Sequence, residues 1–227
     1  MSQAAGQQMR DPLAFGRIAL RDNVPCHVKV KPMNVVLRKS WTPERFLAWA
    51  ETQEERYEFD GIRPVAMTGG NAGHNRITTN IHAALRSRLR GTPCSYYGPD
   101  LGVQTVGSKI RYPDALITCT KFRGTEKLAP SVVVVFEVVS PTSGWLDRIG
   151  KVREYQGVLC ILRYVIVESS TAGVQALHRN DGESPWTLHA LTKDDVLDLP
   201  EIGIEFPVAE IYEDIDFDDA EVDDAGA

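Results

Sequence analysis

At 227 residues, 43% hydrophobic and 25% charged, the chain has an ordinary globular composition and is long enough to bury one well-packed core. No run approaches the roughly 18–20 apolar residues of a membrane helix, and residues 1–30 lack the apolar segment of a secretory signal, so a cytoplasmic protein with no membrane partner is expected. The formal charge of −6 is uneven: residues 210–227 hold nine acids and no base, whereas residues 34–209 hold 20 Lys plus Arg against 20 Asp plus Glu, a neutral body that gives no positive support for nucleic acid yet can present a basic face.

Residues 1–33 show no sustained period of 3.6 or 2 and read as a loosely ordered extension; 34–212 read as the folded domain and 213–227 as an acidic disordered tail. Thr42-Pro43 opens a helix in TPERFLAWAETQ, with Thr42 as N-cap and Phe46, Leu47, Trp49 and Ala50 on one face. Asp60-Gly61 marks a turn between two short strands, RYEF and PVAMT. A second helix spans His74 to Arg90, with Ile77, Ile81, Ala84, Leu85 and Leu89 in one stripe. Arg86, Arg88 and Arg90 at its end suit the helix dipole and read as a solvated terminus or a contact to phosphate.

CSYYGPDLGVQTV and KIRYPDALITC follow as strand-like runs split by a Gly107-Ser108 turn. SVVVVFEVVS, 131–140, is Val-rich and reads as a strand buried on both faces. PTSGWLDRIGKVREYQ is a loop entering a helix; YVIVESS, VQALHRN and PWTLHAL are three more strands, and residues 194–214 close the fold. Cys26, Cys94, Cys119 and Cys160 are widely spaced without a CxxC pair, so reduced thiols are expected and zinc is disfavoured.

Chemistry enters where acids interrupt strand sequence. Glu137 breaks the apolar run 132–139, and an ionised carboxylate there needs a metal ion, a cation or hydrogen-bond donors, unless its head escapes to solvent at the strand end. Asp114 interrupts IRYPDALIT 23 residues earlier. If the two strands are neighbours, these carboxylates can share a hard divalent cation, Mg²⁺ or Mn²⁺, with a backbone carbonyl and waters. Lys151, 14 residues beyond Glu137 on the following helix, can neutralise charge developing on a phosphate; the competing reading pairs it on the surface with Glu154. Tyr155 lies one turn further on the same face and reads as a half-buried tyrosine that satisfies a backbone carbonyl, with a hydroxyl contact to phosphate as the alternative.

RYEFDG at 56–61, GHNRI at 73–77, YPDALI at 112–117, FEVVSP at 136–141 and WLDRIGKVREYQ at 145–156 together resemble the Uma-type restriction endonuclease family of the PD-(D/E)XK nuclease superfamily, over about residues 34–212. The resemblance implies a mixed α/β core with a curved β-sheet flanked by helices, and Asp114 and Glu137 as metal-binding acids. It also implies that Glu58 is the additional acid found ahead of such cores. The superfamily's usual lysine lies two residues after the second acid, where this chain has Val139; Lys151 matches the branches in which the lysine has moved to the next helix. Asp147 and His74 also match the family pattern, Asp147 as a loop or water-holding acid and His74 as a structural histidine near a helix start.

The expected function is that of a divalent-metal-dependent endonuclease, with Asp114, Glu137 and the Val138 carbonyl holding the ion, Lys151 positioning the nucleophile and Glu58 assisting. DNA is the expected substrate, and a homodimer is one arrangement that would cut both strands of a duplex. The rival readings are a catalytically inactive nuclease-fold module that binds nucleic acid or protein, and a hydrolase of small phosphate esters.

Overall fold

The computed structural model describes residues 40–140 and 145–217, the side chains of 145–147 excepted, all within the unit Lys39–Ala227. The extension expected at 1–33, the tail beyond Phe217 and the side chain of Asp147 lie outside the described residues.

Helix α1 (Pro43–Ala50) starts as expected: Arg45 N–H donates to Thr42 Oγ1 at 3.2 Å and Pro43 occupies the first turn. Its buried Phe46 stacks on Phe59 of strand β1 (Tyr57–Phe59), ring centroids 5.3 Å apart. In the turn to β2 (Pro64–Ala66), Asp60 Oδ1 accepts the N–H groups of Ile62 and Arg63 at 2.8 and 2.7 Å, and Gly61 takes φ +88°, a conformation that costs glycine little. Helix α2 (Ala72–Leu89) is capped by Asn71 Oδ1, which accepts His74 N–H at 2.9 Å, and buries Ile77, Ile81, Ala84, Leu85 and Leu89.

Strands β3 (Ser95–Tyr97), β4 (Val103–Gln104), β5 (Ile110–Arg111) and β6 (Ala115–Thr118) come next, then β7 (Val132–Val139), helix α3 (Trp145–Gln156), β8 (Arg163–Glu168), β9 (Gly173–His178) and β10 (Thr187–Thr192). Two sheets result: an antiparallel one ordered β2-β1-β5-β4, and a six-stranded mixed one ordered β10-β9-β8-β7-β6-β3. In the mixed sheet only β7 and β8 run parallel, and α3 supplies the crossover such a pair needs. The closing segment forms a hairpin, β11 (Val196–Leu199) and β12 (Ile204–Pro207), followed by the short helix α4 (Val208–Ile211).

Strand β7 is central, and its alternation divides the core. Val134, Phe136 and Val138 pack in the cluster that holds Ile77, Ile81 and Leu85 of α2; Val135 and Val139 pack with Tyr155 of α3 and with Tyr164 and Ile166 of β8. Fully burying a Val or Phe side chain contributes about 1.5–3 kcal/mol, enough for such a strand to tolerate one carboxylate. Glu137 takes the α3 face.

Two expectations are corrected. Arg88 neither ends a solvated helix nor waits for phosphate: Nη1 and Nη2 donate to both Glu210 oxygens at 3.0 and 2.7 Å and tie α2 to α4. Cys94 and Cys119 are paired as a disulfide rather than reduced. They occupy the rung beyond the Ser95↔Thr118 pair of β3 and β6, a register that brings residues 25 apart in sequence face to face.

Candidate active site

The ladder between β6 and β7 ends at Ala115↔Phe136, because the next residue back along this edge but one is Pro113, which has no N–H to donate. Beyond that rung Asp114 meets Val138 through its side chain, Oδ2 accepting Val138 N–H at 2.7 Å. Val139 O accepts Ser169 N–H from beyond β8, so strand alternation turns the Val138 carbonyl the opposite way, toward Asp114. Asp114, Glu137 and Val138 thus line one cleft of about 730 Å³ with Glu58, His74 and Lys151.

Helix α3 presents Lys151 and Tyr155, four residues apart and so on one face, to the end of β7. Lys151 Nζ donates to Glu137 Oε2 at 3.0 Å and lies 4.0 Å from Glu58 Oε1. Tyr155, which sequence reasoning placed half-buried with a backbone carbonyl, is fully buried, and its hydroxyl donates to Glu137 Oε1 at 2.8 Å. Glu137 is 6% exposed, and its carboxyl is pushed up to about 7: burial is the main cause, the Lys151 ammonium opposes it, and the nearby charges of Asp114 and Glu58 add to it. Burial and the Glu137 charge push the Tyr155 hydroxyl well above its ordinary value, so it stays a donor.

Helix α2 contributes two histidines. His74 Nε2 lies 3.5 Å from Asp114 Oδ1; its imidazole is raised chiefly by Asp114, with burial opposing and with the Val138 carbonyl and Glu137 assisting. His82, which sequence reasoning missed, donates a ring N–H to the backbone carbonyl of Asp114 at 2.8 Å and fixes that turn. One α2 face thus supports both the side chain and the main chain of Asp114.

Glu58 arrives from the other sheet. The Phe59↔Ile110 pairing of β1 and β5 sets it opposite Arg111, whose Nη1 donates to Glu58 Oε2 at 2.7 Å, while Tyr112 N–H donates to Oε1 at 3.3 Å. Arg111 also grips Glu154 of α3, Nε to Oε2 at 2.7 Å and Nη2 to Oε1 at 2.9 Å, and Lys109 Nζ adds a bond to Oε1 at 2.6 Å. Glu154 is therefore not the partner of Lys151. Burial alone would raise its carboxyl, yet the bonds from Arg111 and Lys109 leave it lowered; burial likewise pulls the Arg111 guanidinium down, and Glu154 and Glu58 more than offset it. A second cavity of about 520 Å³ holds Arg163 and Glu201, which satisfy each other through bonds of 2.6 and 3.0 Å.

Among the described residues no three His, Cys, Asp or Glu side chains are grouped so as to hold a metal ion by themselves. The Asp114 and Glu137 carboxylates and the Val138 carbonyl, which line the cleft, are hard oxygen donors. That set fits Mg²⁺ or Mn²⁺, which take one or two carboxylates and keep several waters.

A family model described as "Putative restriction endonuclease", Uma2, matches residues 43–209. The uncharacterized protein slr1290 of Synechocystis sp. is 30% identical over 178 residues, covering 78% of this chain and 93% of the relative. A second Synechocystis protein, sll1609, is 24% identical over 165 residues, covering 70% and 92%. The crystal structure of a putative nuclease belonging to DUF820 from Anabaena variabilis superposes with a TM-score of 0.59 at 12% identity, over 76% of this chain and 97% of that one, a likeness of fold.

Proposed function

Because the chain belongs to the Uma2 family of putative restriction endonucleases, we propose that it is a divalent-metal-dependent endonuclease that hydrolyses phosphodiester bonds in DNA. The observation that carries this reading is Glu137: a buried carboxylate beside Asp114, opening on a large cleft and held among the described residues by the Lys151 ammonium and the Tyr155 hydroxyl. In this reading Asp114, Glu137 and the Val138 carbonyl hold Mg²⁺ or Mn²⁺. When bound, such an ion lowers the pKa of a water and neutralises the scissile phosphate.

The chain's own residues do the rest. Tyr155 fixes the Glu137 carboxylate, and His82 fixes the Asp114 turn. The Lys151 ammonium stabilises charge that develops on the phosphate. The catalytic unit is residues 34–212, it acts in the cytoplasm, and a homodimer supplies a cut on each strand of a duplex. No helix among the described residues is long and apolar enough to cross a membrane, which is compatible with this placement.

Cleavage of supercoiled plasmid with Mg²⁺ or Mn²⁺ tests the reading. Lys151→Ala should fold, bind metal and lose about 100- to 1,000-fold in rate, the range seen when one preorganised donor to a transition-state charge is removed. Glu137→Ala should lose Mn²⁺ binding by calorimetry together with all metal-dependent cleavage. A wild type that cuts no nucleic acid and binds no Mn²⁺ at millimolar concentration would instead support an inactive binding module.

A further inference from the structure

Glu58, Arg111, Glu154, Lys151, Glu137 and Tyr155 form a ring closed through α3, in which each acid faces at least one donor or cation. Within this ring the acids are held differently. Among the described residues Glu137 Oε2 accepts from the Lys151 ammonium, whereas Glu58 Oε2 is taken by the buried Arg111 guanidinium, itself 7% exposed.

We propose that Glu58 is a positioning residue for Lys151, held in place by Arg111, and not a ligand of the metal; Lys151 passes from Glu137 to Glu58 when the ion binds. This rests on the metal-dependent reading above. A cation at Glu137 Oε2 sits against the ammonium bonded to that oxygen and repels it, while Tyr155 already donates to Oε1, so binding of the ion favours a shift of Nζ away from Glu137. Helix α3 cannot carry the ammonium away, because three bonds from Arg111 and Lys109 to Glu154 pin the helix one turn from Lys151. Glu58 Oε1 lies 4.0 Å from Nζ and is reached by a small rotation of a flexible stem. Arg111 keeps Glu58 from turning into the metal position, so this acid remains available to the ammonium, which stays in the cleft and faces the substrate.

A double-mutant cycle on Mn²⁺ affinity, read by calorimetry and independent of cleavage, tests this. Outer residues that orient a metal site alter affinity by about 10- to 100-fold. Glu58→Gln should therefore weaken Mn²⁺ binding about tenfold or more in the wild-type background, where the displaced ammonium loses its destination, and less than about threefold with Lys151→Ala, where no ammonium needs one. Equal losses in both backgrounds would make Glu58 a ligand and overturn the proposal. Arg111→Met should mimic Glu58→Gln with partial rescue by Arg111→Lys; because Arg111→Met strands two buried acids, Glu58→Gln carries the test if that variant does not fold. A wild type that shows the background-dependent cycle but cuts no nucleic acid overturns the nuclease reading alone. One that cuts plasmid with equal losses overturns this proposal alone, and one that binds no Mn²⁺ overturns both.

Discussion

Glu137 and Glu154 are both nearly inaccessible, 6% and 4% exposed, and both are held by side chains of the same neighbourhood, yet their carboxyls shift in opposite directions. Burial pushes each upward. Glu154 receives three bonds from two cations, Arg111 and Lys109, and ends below its ordinary value. Glu137 receives one ammonium and one neutral hydroxyl, faces two further acids, and ends at about 7. The number of cations per carboxylate separates an ion cluster that fastens α3 to β5 from a cluster that still calls for positive charge. The first is complete as it stands, and the second is suited to a ligand.

The comparison is broken most forcefully by removing each acid in turn. Glu154→Ala takes away the bidentate partner of the buried Arg111, which keeps only its bond to Glu58, and leaves Lys109 without this acid; breaking a buried pair on one side costs about 3–5 kcal/mol. Glu137→Gln removes an undercompensated charge and keeps the shape, so in EDTA at pH 8 its urea midpoint should equal or exceed that of the wild type. Urea denaturation followed by circular dichroism reads both. Similar losses in the two variants would show that the clusters are electrostatically alike, against the contrast drawn from their partners.

The pH dependence sharpens the contrast. Between the ordinary glutamate value of about 4.5 and the raised value of about 7, folded Glu137 binds a proton that the unfolded chain has released. Stability of the metal-free protein should therefore fall as pH rises through that window, by about 3 kcal/mol for this group, and level off above it. Glu154 has the opposite sign: its contribution is present above the ordinary carboxylate range and is lost as pH falls through its depressed value. Glu137→Gln should flatten the decline between pH 4.5 and 7 and leave the acid limb in place. Parallel curves for variant and wild type, by urea denaturation in EDTA across pH 4–8, would remove Glu137 as the source.

How far the sequence anticipates these clusters depends on the range of the signal. Glu137 is legible because one acid breaks a run of valines, and α3 gives Lys151 and Tyr155 a common face through its 3.6-residue period. Strand and helix patterning marks where the elements lie, and the mixed sheet flanked by helices is what the family resemblance implies. Arg111 and its two acids are not legible: β5 has two residues and no periodicity, and Glu58 and Glu154 lie 53 and 43 residues away. The same holds for Cys94 with Cys119 and for His82 under Asp114, contacts set by register and helix placement that local pattern does not encode. Tyr155 was found but misjudged, because a period tells which face a residue occupies and not which carboxylate waits there.

The smallest effect belongs to Lys109, and its size decides how much of the Glu154 cluster Arg111 can sustain alone. Lys109 Nζ is 2.6 Å from Glu154 Oε1, but its side chain is 31% exposed, against 9% for Arg111. An ammonium in contact with water recovers much of its hydration when the pair is broken, and a single ion pair at such a site is worth about 0–1 kcal/mol. Arg111 already supplies a bidentate grip through Nε and Nη2, the geometry in which guanidinium and carboxylate match best. Lys109→Met should therefore cost less than about 1 kcal/mol in urea denaturation, and the cost should shrink further in 1 M salt, where the screening length drops to about 3 Å. A loss approaching that of Glu154→Ala would mean that two cations are needed to hold the acid ionised. It would place Glu154 closer to Glu137 than their opposite shifts indicate.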